Sequence, residues 1–256
     1  MSNYPFTNRV NLGNVVFWDP WVGCVKVSEA CKYCFFCPKF EALRFKQFNW
    51  ELAEDLPLGT IISTAFRSDF FIDLADSYRP SVWNIIKEHP NYIFLICTKR
   101  VERILECLPA DWGAGYDNVV IMVTVENQKR ADERLPIFSQ IPCKHKWIAA
   151  MPLLESINIE QYLTADIEHV EVGGERAPFG KARPLNYDWV VALAQQCNRT
   201  NTRMSFMAVG SRFEMNNELF THCGSACYHS PKADSLELDV VVPLKFNLNN
   251  KEFIIK

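Results

Sequence analysis

VVIMVTVENQKRADERLPIFS, residues 119–139, is the stretch whose reading decides the fold. Its first seven residues are apolar apart from Thr124 and rich in β-branched side chains, the pattern of a strand covered on both faces. Glu126, Asn127 and Gln128 break the run, and Asn is a helix-start residue. From 129 to 139 the apolar residues return at helical spacing, and a second apolar run follows at 146–150. Strand, helix and strand in this order make a βα unit, which predicts a parallel sheet. The alternation continues in both directions. Further candidate strands lie at 14–18, 60–64, 92–97, 169–172 and 204–208, and further candidate helices at 79–88, 101–107 and 187–198. In parallel βα architectures ligand-binding groups collect at the carboxyl ends of the strands, so the residue after each run is a site candidate.

After the first candidate strand and the turn at Asp19-Pro20, the chain reads Gly23-Cys24-Val25-Lys26-Val27-Ser28-Glu29-Ala30-Cys31-Lys32-Tyr33-Cys34-Phe35-Phe36-Cys37. Four of the ten cysteines thus fall on one loop. A cubane iron–sulfur cluster takes soft thiolates from such a segment, and one bound by three cysteines leaves an iron open to a small molecule. Two plainer readings compete. Structural zinc sites usually combine two separated Cys-x-x-Cys pairs, whereas the intervening steps here are six, two and two residues. Free buried cysteines behave as small hydrophobes, which poorly suits four of them beside Lys26, Lys32 and Lys39. Cys37 either completes a closed four-thiolate cluster or stands outside it, where Pro38 marks a helix start.

Composition narrows the setting. The chain has 256 residues, 48% of them hydrophobic, which supports a substantial core. A net charge of −3 gives no global field for a polyanion, so nucleic acid as a partner has no support from charge. No run reaches 18 apolar residues, and the opening MSNYPFTNRV lacks the basic and apolar regions of a signal peptide. The expectation is a cytoplasmic protein without a membrane partner, its cysteines used for metal and not for disulfides. Asn, Cys, His and Ser crowd together after Phe213, so residues 1–212 are expected to form the main domain and 213–256 an appendage.

The linear order of motifs resembles the phage-associated three-Cys-motif family, a radical S-adenosylmethionine-like group. The resemblance covers about residues 14 to 210. It rests on Trp18, Pro20, Gly23, Cys24, Lys26, Val27, Ser28, Cys31 and Cys34, then Ser68-Asp69-Phe70, Thr98-Lys99-Arg100 and Val125-Glu126-Asn127-Gln128. Pro152-Leu153-Leu154, Gly173-Gly174-Glu175, Arg183-Pro184 and Asp188-Trp189 complete it. Phe35 replaces the family's usual Tyr, and Phe206-Met207-Ala208-Val209-Gly210 replaces its late Phe-Lys-Gln-Trp-Gly element. The resemblance implies a partial or near-complete parallel β/α barrel of TIM-like type and a [4Fe-4S] cluster on Cys24, Cys31 and Cys34. It also implies S-adenosylmethionine, an external flavodoxin-like or ferredoxin-like electron donor, and a 5′-deoxyadenosyl radical acting on an unidentified substrate. Phage association suggests a nucleotide or nucleic-acid substrate by analogy alone.

Each remaining candidate carries a structural alternative. Tyr33 can lie against adenine. Ser68 and Asp69 suit a methionyl amine or a helix cap. Lys99 and Arg100 suit a carboxylate or phosphate, or a solvated rim. Asn127 suits a ribose or adenine, or the start of the next helix. Gly173, Gly174 and Glu175 suit a ligand or a barrel-top turn. His222, Cys223, Cys227 and His229 are four potential ligands of a second metal, although short His/Cys runs often bind nothing. Cys97, Cys107, Cys143 and Cys197 read as core, and His89 and His145 as surface or cap residues. The rival to an enzyme is a nucleic-acid- or protein-binding module organised by zinc or by a closed cluster.

Overall fold

The computed structural model describes residues 15–34, 46–47, 52, 55–177, 181–221 and 231–256. The short strands β1 (Val15–Trp18), β2 (Trp21–Val22) and β3 (Lys46–Gln47) come first. Then follow β4 (Ile61–Thr64), β5 (Ile93–Thr98), β6 (Val119–Thr124), β7 (His145–Ala150) and β8 (Ile167–Gly173). After β9 (Leu185–Asn186) come β10 (Arg203–Ala208), β11 (Arg212–Met215), β12 (Glu218–Thr221), β13 (Leu244–Leu248) and β14 (Lys251–Ile255).

Seven of these strands make one parallel sheet in the order β1-β4-β5-β6-β7-β8-β10. They are the seven runs legible in the sequence, each within about two residues of its expected bounds. The order never reverses. Right-handed crossovers then place every connection on the same face, which is how a sheet curls into a barrel instead of forming a doubly wound layer. The result is a parallel half-barrel.

Parity sorts the strand residues into two cores. Ile62, Phe94, Ile96, Val119, Ile121, Val123, Ile148, Val170, Val172, Met204 and Phe206 belong to the outer one. Against it lie α1 (Arg79–Glu88) through Val82, Trp83 and Ile86, and α3 (Gln128–Gln140) through Ala131, Leu135 and Phe138. Between them the expected helix at 101–107 divides into a 3-10 turn, Val101–Arg103, and the single turn α2 (Ile104–Cys107). The last large helix is α4 (Tyr187–Thr200), packed through Val190, Leu193, Ala194 and Cys197. Asn caps work at both ends of these helices. Asn127 Oδ1 accepts from Arg130 N at 2.9 Å, Asn186 Oδ1 accepts from Asp188 N at 2.8 Å, and left-handed Asn201 closes α4.

Ile61, Ile93, Leu95, Val120, Met122, Trp147 and Ala149 form the inner core. The hairpin β13–β14 covers its lower part with Leu244, Phe246, Leu248 and Ile255. Residues 213–256 thus include a hairpin built into the barrel's interior. A second, three-stranded sheet joins β9, β11 and β12.

Candidate functional site

The residues 19–34 lie across the carboxyl ends of the strands, fastened by at least four of them. Ser68 Oγ, after β4, donates to the Gly23 carbonyl. Arg100, after β5, donates from Nη2 to the Val25 carbonyl at 2.8 Å and brings Nη1 to 3.9 Å from Cys24 Sγ. From α3, behind β6, Arg130 grips the Glu29 carboxylate at 2.9 and 3.1 Å and holds that acid down at about 2. From beyond β8, Arg183 donates to the Glu29 carbonyl at 2.9 Å and sets its guanidinium 5.4 Å from the centre of the Tyr33 ring. The loop root is tied too: Asp19 accepts from Arg67 N and Nε at 2.8 and 2.7 Å.

Within this frame a 3-10 turn, Glu29–Cys31, follows Ser28, whose carbonyl accepts from Cys31 N at 3.0 Å. Cys31 is buried, while Cys24 and Cys34 are half-buried. Burial pushes the Cys24 thiol up, with the Arg100 guanidinium opposing it. Lys99 rises from the inner end of β5 towards the loop. Burial alone would depress its ammonium, but Cys97, Cys31, Glu126 and Cys34 around it raise its pKa. The three thiols therefore share the mouth of the half-barrel with an inward-facing cation.

Other sequence candidates are committed to neighbours. Asp69 is buried and accepts from Thr98 Oγ1 at 2.8 Å, Phe71 N at 3.0 Å and Lys99 N at 3.1 Å, and it pairs with Arg100 at 3.0 Å. Asn127 is the cap of α3 described above. Glu175 receives Arg183 N at 2.8 Å, Nε at 3.0 Å and Nη2 more closely still. Gly174 allows a close backbone approach, because a Cβ there would collide with the Val209 carbonyl oxygen. At Gly173 a Cβ would meet Met151 Sδ at 2.5 Å. Tyr33 lies between two cations, Lys32 at 5.1 Å and Arg183. Lys99, Tyr33, Glu175 and the thiols thus gather at one mouth, whereas Ser68, Asp69 and Asn127 hold the framework around it. Cys37 and the His222, Cys223, Cys227 and His229 group lie outside the described residues.

Two further residues belong to the mouth, and a third lies below it. Arg183 joins the end of β8 to a carbonyl 154 residues earlier. Glu126 is fully buried, bonded through Oε2 to Arg134 Nη1 at 2.7 Å, and its Oε1 meets no partner among the described residues. Glu171 stands deeper, on the inner face. An acid set between two valines, Val170-Glu171-Val172 in β8, was the sequence signal for it; no local signal pairs Arg183 with Glu29.

Among the described residues, no group of three or more His, Cys, Asp and Glu side chains stands close enough to grip a metal ion. Cys24, Cys31 and Cys34 are free thiols spread along one fastened loop. No described helix is long and apolar enough to cross a membrane.

Residues 39–240 match the family described as Protein of unknown function (DUF5131), and the chain belongs to that family. The matched span begins after the three cysteines and takes in six of the seven strands of the main sheet. No curated protein and no solved structure matches the chain.

Proposed function

We propose that this member of the DUF5131 family is a radical S-adenosylmethionine enzyme, with Cys24, Cys31 and Cys34 as the ligands of a [4Fe-4S] cluster. The supporting observation is the fastening of the three-cysteine loop, by residues from four strand ends, across the mouth of a parallel half-barrel. When bound, the cluster and S-adenosylmethionine supply reductive carbon–sulfur cleavage and a 5′-deoxyadenosyl radical. The chain's own residues position and shield. Arg100 and Arg183 fix the two halves of the loop, Lys99 offers a cation to a carboxylate, and the Tyr33 ring offers a flat face to adenine. The motif resemblance to the phage-associated three-Cys-motif family, with its TIM-like barrel, points the same way.

The test is anaerobic reconstitution. Iron with acid-labile sulfide, and 5′-deoxyadenosine on adding reductant and S-adenosylmethionine, are the expected results. Cys24→Ala, Cys31→Ala and Cys34→Ala should each lose the cluster while Cys37→Ala keeps it. One zinc per chain without sulfide would favour a metal-organised binding module, and a loaded protein that yields no 5′-deoxyadenosine would overturn the proposal.

A further inference from the structure

One acid inside the half-barrel has no role in the mouth. Glu171 sits mid-strand between Val170 and Val172, which face the helices, so its side chain points to the inner face. It lies opposite Ala149 on β7 and Ser205 on β10, and Ala149 lies opposite Thr124 on β6. The inward row at this level is therefore Thr124, Ala149, Glu171 and Ser205, with small side chains on both sides of the acid. Below it, Trp147 and His169 meet edge to face at 4.6 Å and form a floor. On the same inner face, two strands from β7, stands Cys97, whose Sγ is 3.5 Å from Thr124 Oγ1 and whose thiol is within the electrostatic reach of Glu171. Cys97 and Met207 remain half-buried although both belong to the central sheet.

Glu171 is 5% exposed and has no hydrogen bond or ion pair among the described residues. Its nearby cations are directed elsewhere. Lys99 faces the thiols and Glu126, and Arg203 donates to the carbonyls of Val242 and Lys256 at 2.9 and 3.2 Å. His169 is held neutral, pushed down to about 3 by burial. A carboxyl removed from water without a cation is costly to ionise, so a positively charged group brought in by a ligand would relieve that cost. An anionic ligand would increase it.

We propose that Glu171 is the recognition group of a ligand subsite inside the half-barrel, which takes an organic molecule bearing a nitrogen cation. Cys97, Met122 and Met207 supply adaptable, polarisable walls for its carbon skeleton. The subsite rests on the proposed function only in calling that ligand the substrate. Recognition itself needs no cluster.

The experiment uses the full chain without a cluster, labelled with ¹³C at glutamate carboxyls, the Glu171 signal being assigned by its loss in Glu171→Gln. Acetamidinium is the probe and acetamide its neutral isostere. Saturating acetamidinium should lower the Glu171 midpoint by at least about one pH unit, a tenfold preference for the ionised acid, while acetamide leaves it in place. An unmoved midpoint with acetamidinium, or an equal shift with acetamide, overturns the subsite. Both results are read without 5′-deoxyadenosine, so failure here is separable from failure of the radical reading.

Discussion

Replacing Asp69 by Ala tests whether the floor of the cysteine loop is held by one buried ion pair. Asp69 and Arg100 meet at 3.0 Å with side-chain exposures of 6% and 7%. The carboxylate also accepts from Thr98 Oγ1, Lys99 N and Phe71 N. Removal leaves the Arg100 guanidinium buried and uncompensated, a loss of about 3–5 kcal/mol. At roughly 2–4 °C per kcal/mol for a domain of this size, the midpoint of thermal unfolding should fall by about 6–20 °C. Urea unfolding should show the same loss with an unchanged slope. Because Arg100 also carries the Val25 carbonyl and approaches Cys24, alkylation of Cys24 should accelerate in the folded variant. Asp117→Ala, which removes the exposed partner of Lys144, is the control and should cost no more than about 1 kcal/mol. A loss in Asp69→Ala as small as the control's, with unaltered Cys24 reactivity, would refute the assignment of Arg100 as the loop's anchor.

Burial lifts the Glu171 carboxyl from its ordinary 4.5 to about 7. Between those values the folded protein holds a proton that the unfolded chain has released, so stability should fall by about 3 kcal/mol as pH rises through this window. Glu171→Gln should lack that fall, and parallel urea profiles of the two proteins between pH 4.5 and 8 would contradict it. Phe246→Ala empties the hairpin's contact with the inner core at a residue 2% exposed, and should cost about 3–5 kcal/mol by urea unfolding. A negligible loss would show that the hairpin does not brace the sheet. Arg183→Ala strips Glu175 of its charged partner and should cost about 2–3 kcal/mol, with faster iodoacetamide reaction at Cys31 and Cys34. Unchanged thiol reactivity would deny the latch.

The main sheet was legible because its strands are covered on both faces, which makes them continuous apolar runs: β6 and β7 are buried at every position. The helix cap at Asn127 was legible for a local reason, a side chain bonding three residues ahead. The hairpin β13–β14 was hidden by composition. Leu244, Phe246 and Leu248 alternate with exposed Lys245 and Asn247, and Asn249-Asn250 takes the two left-handed positions of a tight turn. That signal lies in 213–256, where the crowded Asn, Cys, His and Ser draw attention first. At the mouth, Lys99 stands out in sequence by its place after a strand and Tyr33 by its place beside Cys34, but residue type does not tell which polar groups are already engaged. Asp69 and Glu175 read as ligand contacts in isolation, and only the fold brings Arg100 and Arg183 to them.

The inner face carries a gradient that packing alone does not call for. Along β5 the inward residues run Ile93, Leu95, Cys97 and Lys99, and along β8 they run His169, Glu171, Gly173 and Glu175. Against the lower residues the hairpin supplies Leu244, Phe246, Leu248 and Ile255; above the upper ones lies the fastened cysteine loop. A half-barrel required only to be stable would continue the apolar inner face to its rim, since a buried acid or cation without a partner is destabilising and hydrophobic replacements are often neutral or better. Lys99 and Glu171 depart from that pattern at the level between floor and loop. Such departures concentrate where a protein meets something other than itself, so under the function and subsite proposed for this chain the ligand would meet the upper half of the inner face and not the outer helices.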